Sequence, residues 1–196
     1  MNALTRCAET DSLDTELAPV LESGGSCKPP SPLIPSNHEE TMSTDNSRIL
    51  QSCCIVAAHP DDEILWFSSV LAAAEKVLIC YGDVPGRETW TAGRKKSLAE
   101  HPLPSVTSLD IIEADVFPYI DWENPAESAS GLDVSRFPRN EKAYADNYVE
   151  LKRVLEDELG EARNVFTHNP WGEYGNAEHV QVFRAVLDVC CLLYTS

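Results

Sequence analysis

The chain has 196 residues, 43% of them hydrophobic, and a formal net charge of −17; that is enough for one domain with a sizeable core. Such acidity disfavours nucleic acid and anionic membrane surfaces as partners, because both reward Lys and Arg. No apolar run reaches the roughly 18 residues of a membrane span, and no secretory apolar segment follows Met1, so neither a transmembrane segment nor a signal peptide is expected.

Residues 1–47 contain no Phe, Trp or Tyr and are rich in Pro, Ser and acids. A stretch such as SGGSCKPPSPLIPSN cannot bury enough apolar surface to offset the entropy of ordering, so 1–47 is read as a disordered leader and 48–196 as one domain. Met42, near the end of that leader, is an alternative start. The seven Cys, at positions 7, 27, 53, 54, 80, 190 and 191, form no CxxC pair. Reduced thiols and a cytoplasmic setting are expected from that pattern.

ILQSCCIVAA (49–58) predicts a buried strand. DDEILWFSSVLAAAEK (61–76) predicts a helix, capped by Asp61 or Asp62 and apolar on nearly every face, hence deeply buried. VLICY (77–81) predicts a second strand, GDVPGR (82–87) a loop, and ETWTAGRKKSLAEH (88–101) a helix stopped by Pro102. SLDIIEADV (108–116) predicts a third strand, and 117–140 a long loop. EKAYADNYVELKRVLEDELG (141–160) is an amphipathic helix with Tyr144, Tyr148, Leu151, Val154, Leu155 and Leu159 on one face and Gly160 as its cap. RNVFTH (163–168) predicts a strand and AEHVQVFRAVLDVCCLL (177–193) a last helix. Strands alternating with helices predict an α/β sandwich with a mainly parallel sheet. Ligands of such sheets sit beyond the carboxyl ends of the strands, where His59 and His168 both fall.

In HPDD, residues 59–62, a His and an Asp three residues apart at a strand-to-helix turn can face one point, with Pro60 stiffening the backbone between them. Imidazole and carboxylate both ligate a divalent ion such as zinc. On residue types alone the acids serve equally as helix caps. Of the other His, His38 lies in the leader and His101 beside Pro102. A third ligand is therefore sought among His168 and His179, although a His in a helix first turn is more often a surface or core residue.

AAHPDDE near the start of an α/β domain, with GEYGNAEHVQV some way on, resembles the LmbE/PIG-L family of zinc-dependent de-N-acetylases. The resemblance covers roughly 50–190 and implies a Rossmann-like three-layer sandwich. It implies removal of the acetyl group from an N-acetylglucosamine-type glycoconjugate. It implies Zn2+ held by His59, Asp62 and His179, with Asp61 as general base and Tyr174 polarising the substrate carbonyl. Glu63 matches an acid read as tying down the loop. Arg94 and Asp83 match substrate-binding positions.

One position departs from the family pattern. The first His of its HxxH element is Asn176 here. An Asn donates a hydrogen bond to an oxyanion but exchanges no proton near neutral pH. Asp61 then acts as both base and acid, or His168 takes part, or the enzyme is slow. A non-catalytic metal- or sugar-binding homologue, or an inactive truncated fragment, is the rival expectation. Members of the family continue with further strands and helices, so the resemblance also implies that the C-terminal part is missing. Trp90 and Trp171 are candidates to flank a sugar ring. A soluble, small-molecule glycoconjugate is the expected substrate, since nothing basic marks a phosphate site; the oligomeric state is not legible.

Overall fold

The computed structural model describes residues 3–5 and 50–195. Of the segment 1–47, only Ala3–Thr5 are therefore placed; the rest of the expected leader lies outside the described residues. The strands are β1 (Ala3–Thr5), β2 (Cys53–Ala57), β3 (Lys76–Asp83), β4 (Val106–Ile112), β5 (Glu127–Ser128), β6 (Gly131–Leu132) and β7 (Asn164–Thr167). The helices are α1 (Asp62–Leu65), α2 (Ser68–Leu71), α3 (Glu88–Ala99), α4 (Pro138–Glu158) and α5 (Ala177–Thr195).

The main sheet runs β1-β7-β2-β3-β4, and a small hairpin pairs β5 with β6. β7, β2, β3 and β4 are parallel, while β1 pairs antiparallel with β7 along the edge. This architecture is compatible with a Rossmann-like fold. All five residues of β2 are buried, as expected for a central parallel strand covered on both faces. The period of two sorts them. Cys54 and Val56 face a core completed by Leu151 and Leu155 of α4 and Val182, Val186 and Val189 of α5. Cys53, Ile55 and Ala57 face the other core, with Phe67, Val70, Leu71 and Leu98. Helices thus cover both sides of the sheet.

The chain builds outward from β2 through β3 to β4, then returns to the opposite side of β2 with β7. That reversal leaves a crevice at the carboxyl ends of β2 and β7, where open α/β sheets take their ligands.

Four expectations are corrected. The helix expected over 61–76 is two single turns, α1 and α2, and Ile64 and Leu65 are 56% and 62% exposed rather than deeply buried. The turn is set by the site rather than by helix propensity: Asp61 holds the N-cap position but makes no side-chain cap bond. The loop expected over 117–140 contains the β5–β6 hairpin, and α4 starts three residues early at Pro138, which suits a first helical position because it needs no N–H. At its end Leu159 is the cap residue, with its N–H donating to the Leu155 carbonyl, so Gly160 is not the cap.

Candidate metal centre

His59 lies two residues beyond β2, and Asp62 folds back on it. Asp62 Oδ2 accepts the His59 backbone N–H at 2.8 Å, and Oδ1 accepts the Trp66 indole N–H at 3.2 Å. His179, in the first turn of α5, reaches the same point from across the crevice. His59 Nδ1 lies 3.2 Å from His179 Nε2 and 3.4 Å from Asp62 Oδ2, and His179 Nε2 lies 3.2 Å from Asp62 Oδ2. Tetrahedral bonds of about 2.0–2.1 Å set ligand atoms about 3.3–3.4 Å apart. All three residues are buried, and this group could hold a metal ion.

The protonation pattern fits that use. Burial opposes ionisation of Asp62, but its hydrogen bonds to His179 and His59 prevail and hold the carboxyl well below the usual range. Burial also opposes charge on His179, yet hydrogen bonds to Asp62 and Glu173 raise it to about 9. Two imidazole nitrogens and a carboxylate oxygen turned to one buried point require a proton or a cation among them.

His168, Glu173 and His179 form a second convergent group, but the hydrogen bonds argue against an ion there. His168 Nε2 accepts the backbone N–H of Ala58 at 2.9 Å. The proton of a neutral His168 therefore sits on Nδ1, which lies 3.0 Å from Glu173 Oε2, and neither nitrogen has a lone pair to spare. Burial keeps this ring neutral. His168 is fully buried and outside the cavity wall, so the expectation that it takes part in proton transfer is corrected: it is a scaffold under His179, stacked at 3.9 Å between ring centres.

Glu173 was not singled out in the sequence, although an acid inside a loop leading to a ligand His is the usual outer partner of a metal-bound imidazole. The loop that carries it closes on Gly172 (φ +67), whose amide carbonyl accepts the N–H of Gly175 and of Asn176; a Cβ there would collide with the Asn176 carbonyl. Asn176 then caps α5. Its Oδ1 accepts the N–H of Glu178 at 2.9 Å and of His179 at 3.4 Å, and its Nδ2 lies 3.4 Å from the Tyr174 hydroxyl.

A cavity of about 550 Å³ opens over His59 and Asp62, with Asp61, Trp90, Arg94 and Tyr174 among its walls. Asp61 adopts φ 136°, a conformation L residues rarely take, and Glu63 Oε2 accepts its N–H at 2.9 Å. Burial and then the neighbouring Asp62 charge raise its carboxyl pKa. Arg94 reaches the cavity but is paired with Glu113, Nη1 to Oε2 at 2.5 Å. Glu113 in turn places that oxygen 3.6 Å from His59 Nε2, a buried nitrogen with no hydrogen-bond partner. Asp83 pairs with Lys95 at 2.9 Å and is not part of the cavity wall. Trp171 is 68% exposed and also lies outside it.

Glu113, Arg87 and Asp115 line the cavity without having been legible as site residues. Their one signal is position, after β4 and before α3 at the carboxyl edge of the sheet. Comparison with protein-family models, with curated proteins and with solved structures gives no match. Among the described residues, no helix is long and apolar enough to cross a membrane.

Proposed function

We propose that this chain is a zinc-dependent hydrolase of the LmbE/PIG-L type that removes the acetyl group from an N-acetylglucosamine-type glycoconjugate. The observation that carries this reading is the His59, Asp62 and His179 triangle, with ligand atoms 3.2–3.4 Å apart, of which His59 and Asp62 line a cavity together with Asp61 and Tyr174. Mixed imidazole and carboxylate donors suit zinc, and also Fe(II) or Co(II).

A divalent ion bound there would acidify the attacking water and polarise the amide carbonyl. Asp61 takes one proton from that water while its oxygen bonds to the amide carbon. The raised pKa of Asp61 brings the carboxyl nearer the range in which it can take a proton and return it. Tyr174, whose phenol burial keeps protonated, donates to the carbonyl oxygen as charge develops there. Asn176 Nδ2, beside the Tyr174 hydroxyl, offers a second donor. Asp61 then gives its proton to the nitrogen as the C–N bond breaks. Acetate and a free amine leave, the remaining acid proton passing to the amine or solvent.

The test is zinc content beside turnover. Wild type should carry one zinc per chain, His59→Ala and His179→Ala should lose it, and Asp61→Asn should keep zinc but lose most turnover on N-acetylated sugars. Full turnover in Asp61→Asn with zinc retained would remove the general-base assignment.

A non-catalytic metal- or sugar-binding protein is the second reading. In its favour, Asn176 spends its oxygen on the N-terminus of α5 and cannot relay a proton. Zinc binding without amide hydrolysis by wild type would select it.

A further inference from the structure

Trp66 is tied to Asp62 twice. Its backbone N–H donates to the Asp62 carbonyl at 2.8 Å, closing the single turn of α1, and its indole N–H donates to Asp62 Oδ1 at 3.2 Å. A spacing of four residues around a helical turn sets the two side chains on one face. The indole is half-buried. It packs against the core that holds Ile55 and Phe67, and its ring meets that of Tyr174 at 6.1 Å between centres. These contacts fix the direction of its N–H.

The two oxygens of Asp62 therefore have different tasks. Oδ2 accepts the His59 backbone N–H at 2.8 Å, and it faces His59 Nδ1 at 3.4 Å and His179 Nε2 at 3.2 Å. Oδ1 is turned to the indole. A carboxylate binds a cation through one oxygen or through both. With Oδ1 held in a hydrogen bond, only Oδ2 is presented beside the two imidazoles. A hydrolytic zinc site needs that economy, because three protein ligands leave the fourth position to water or substrate.

We propose that the Trp66 indole N–H keeps Asp62 a one-oxygen ligand, and so keeps one coordination position open. Trp66 lies outside the cavity wall and acts through Asp62; it is a positioning residue. The proposal rests on the metal-centre reading of His59, Asp62 and His179, and not on which bond the protein hydrolyses.

Cobalt(II) reports coordination number, since its visible absorption is intense with four ligands and weak with five or six. The metal-free full chain would be titrated with cobalt(II) as wild type and as Trp66→Phe, which keeps an aromatic ring beside Tyr174 and removes the N–H. Wild type should give the intense four-coordinate band. Trp66→Phe, its fold checked by circular dichroism, should bind cobalt(II) with most of that intensity lost, as Oδ1 turns to the ion. An unchanged band in Trp66→Phe, a weak band in wild type, or no cobalt uptake by wild type would each overturn the proposal. Hydrogen exchange in wild type decides the matter should Trp66→Phe not fold. Of the four Trp, Trp90, Trp122 and Trp171 are exposed, so the slowly exchanging indole N–H belongs to Trp66. It should stay slow when zinc is added; fast exchange in the zinc-loaded protein would overturn the assignment. The expected cobalt spectra in a protein that hydrolyses no N-acetyl compound would leave the role of Trp66 standing and remove the proposed reaction instead.

Discussion

Glu173 Oε2 lies 2.7 Å from Nδ1 of His179, and this contact decides which nitrogen of that imidazole faces Asp62 and His59. The same oxygen lies 3.0 Å from Nδ1 of His168, so one carboxylate orients two stacked rings. Burial opposes its charge, yet hydrogen bonds to His168 and His179 hold its pKa at about 2. Glu173→Gln keeps the shape but replaces an acceptor of two N–H groups with an amide. Zinc affinity should fall about 10–100-fold, the range for loss of an outer partner of a ligand His, with the fold retained. Competition with a chromophoric chelator measures this. Unchanged affinity would mean that α5 alone positions His179.

On the other side of the site, Glu113 Oε2 lies 3.6 Å from His59 Nε2, beyond hydrogen-bond length but the nearest carboxylate to that unpartnered nitrogen among the described ion pairs. His59 Nδ1 faces the other ligands, so its Nε2 bears the proton and needs an acceptor. Glu113→Ala should weaken zinc binding more than Arg94→Ala does, because Arg94 touches Glu113 and not His59. If Arg94 instead binds substrate directly, Arg94→Ala raises KM while leaving zinc affinity unchanged. Measuring both constants on both variants separates the roles.

The positive φ of Asp61 costs a non-glycine residue on the order of 1–3 kcal/mol. Desolvation and the nearby charge of Asp62 add to that cost in the ionised form. Asp61→Gly should therefore raise the thermal midpoint by a few degrees, offset in part by the greater chain entropy of Gly in the unfolded state, while abolishing turnover and retaining zinc. A lower midpoint would show that the Asp61 side chain stabilises the turn.

Metal uptake should release a proton. His179 titrates near 9 in the metal-free protein against 6.5 for an ordinary His, so at pH 7 its imidazole is protonated before an ion binds. Below pH 9 apparent affinity should drop about tenfold per pH unit. Titrations in two buffers of different ionisation enthalpy should report about one proton released. The same shift means that the metal-free protein draws stability from His179 below pH 6.5 and loses it as pH rises through about 9. Holding the protein with saturating zinc should remove that loss.

Residue order by itself determined the class of fold. Alternating strands and helices and the apolar run at 49–58 require a buried parallel strand, and Leu151 and Leu155 sit on the face their spacing predicts. It also placed His59 and Asp62 on one short turn and, because few His exist, left His168 and His179 as candidates for a third ligand; only the resemblance to the LmbE/PIG-L family pointed to His179. Only the tertiary structure decided the rest. The strand order places β7 beside β2, and so brings His179 to within 3.2 Å of His59 across 120 residues of chain. Hydrogen bonds of Ala58 and Glu173 engage both nitrogens of His168, a fact no local pattern carries. The expected helix over 61–76 breaks at Trp66 and Phe67, after a first turn whose leading residue, Asp62, accepts the His59 backbone N–H and the Trp66 indole N–H. Glu113 and Glu173 are ordinary acids in sequence; they become outer partners of the two imidazoles only through the register of the sheet and the closure of the Gly172 loop.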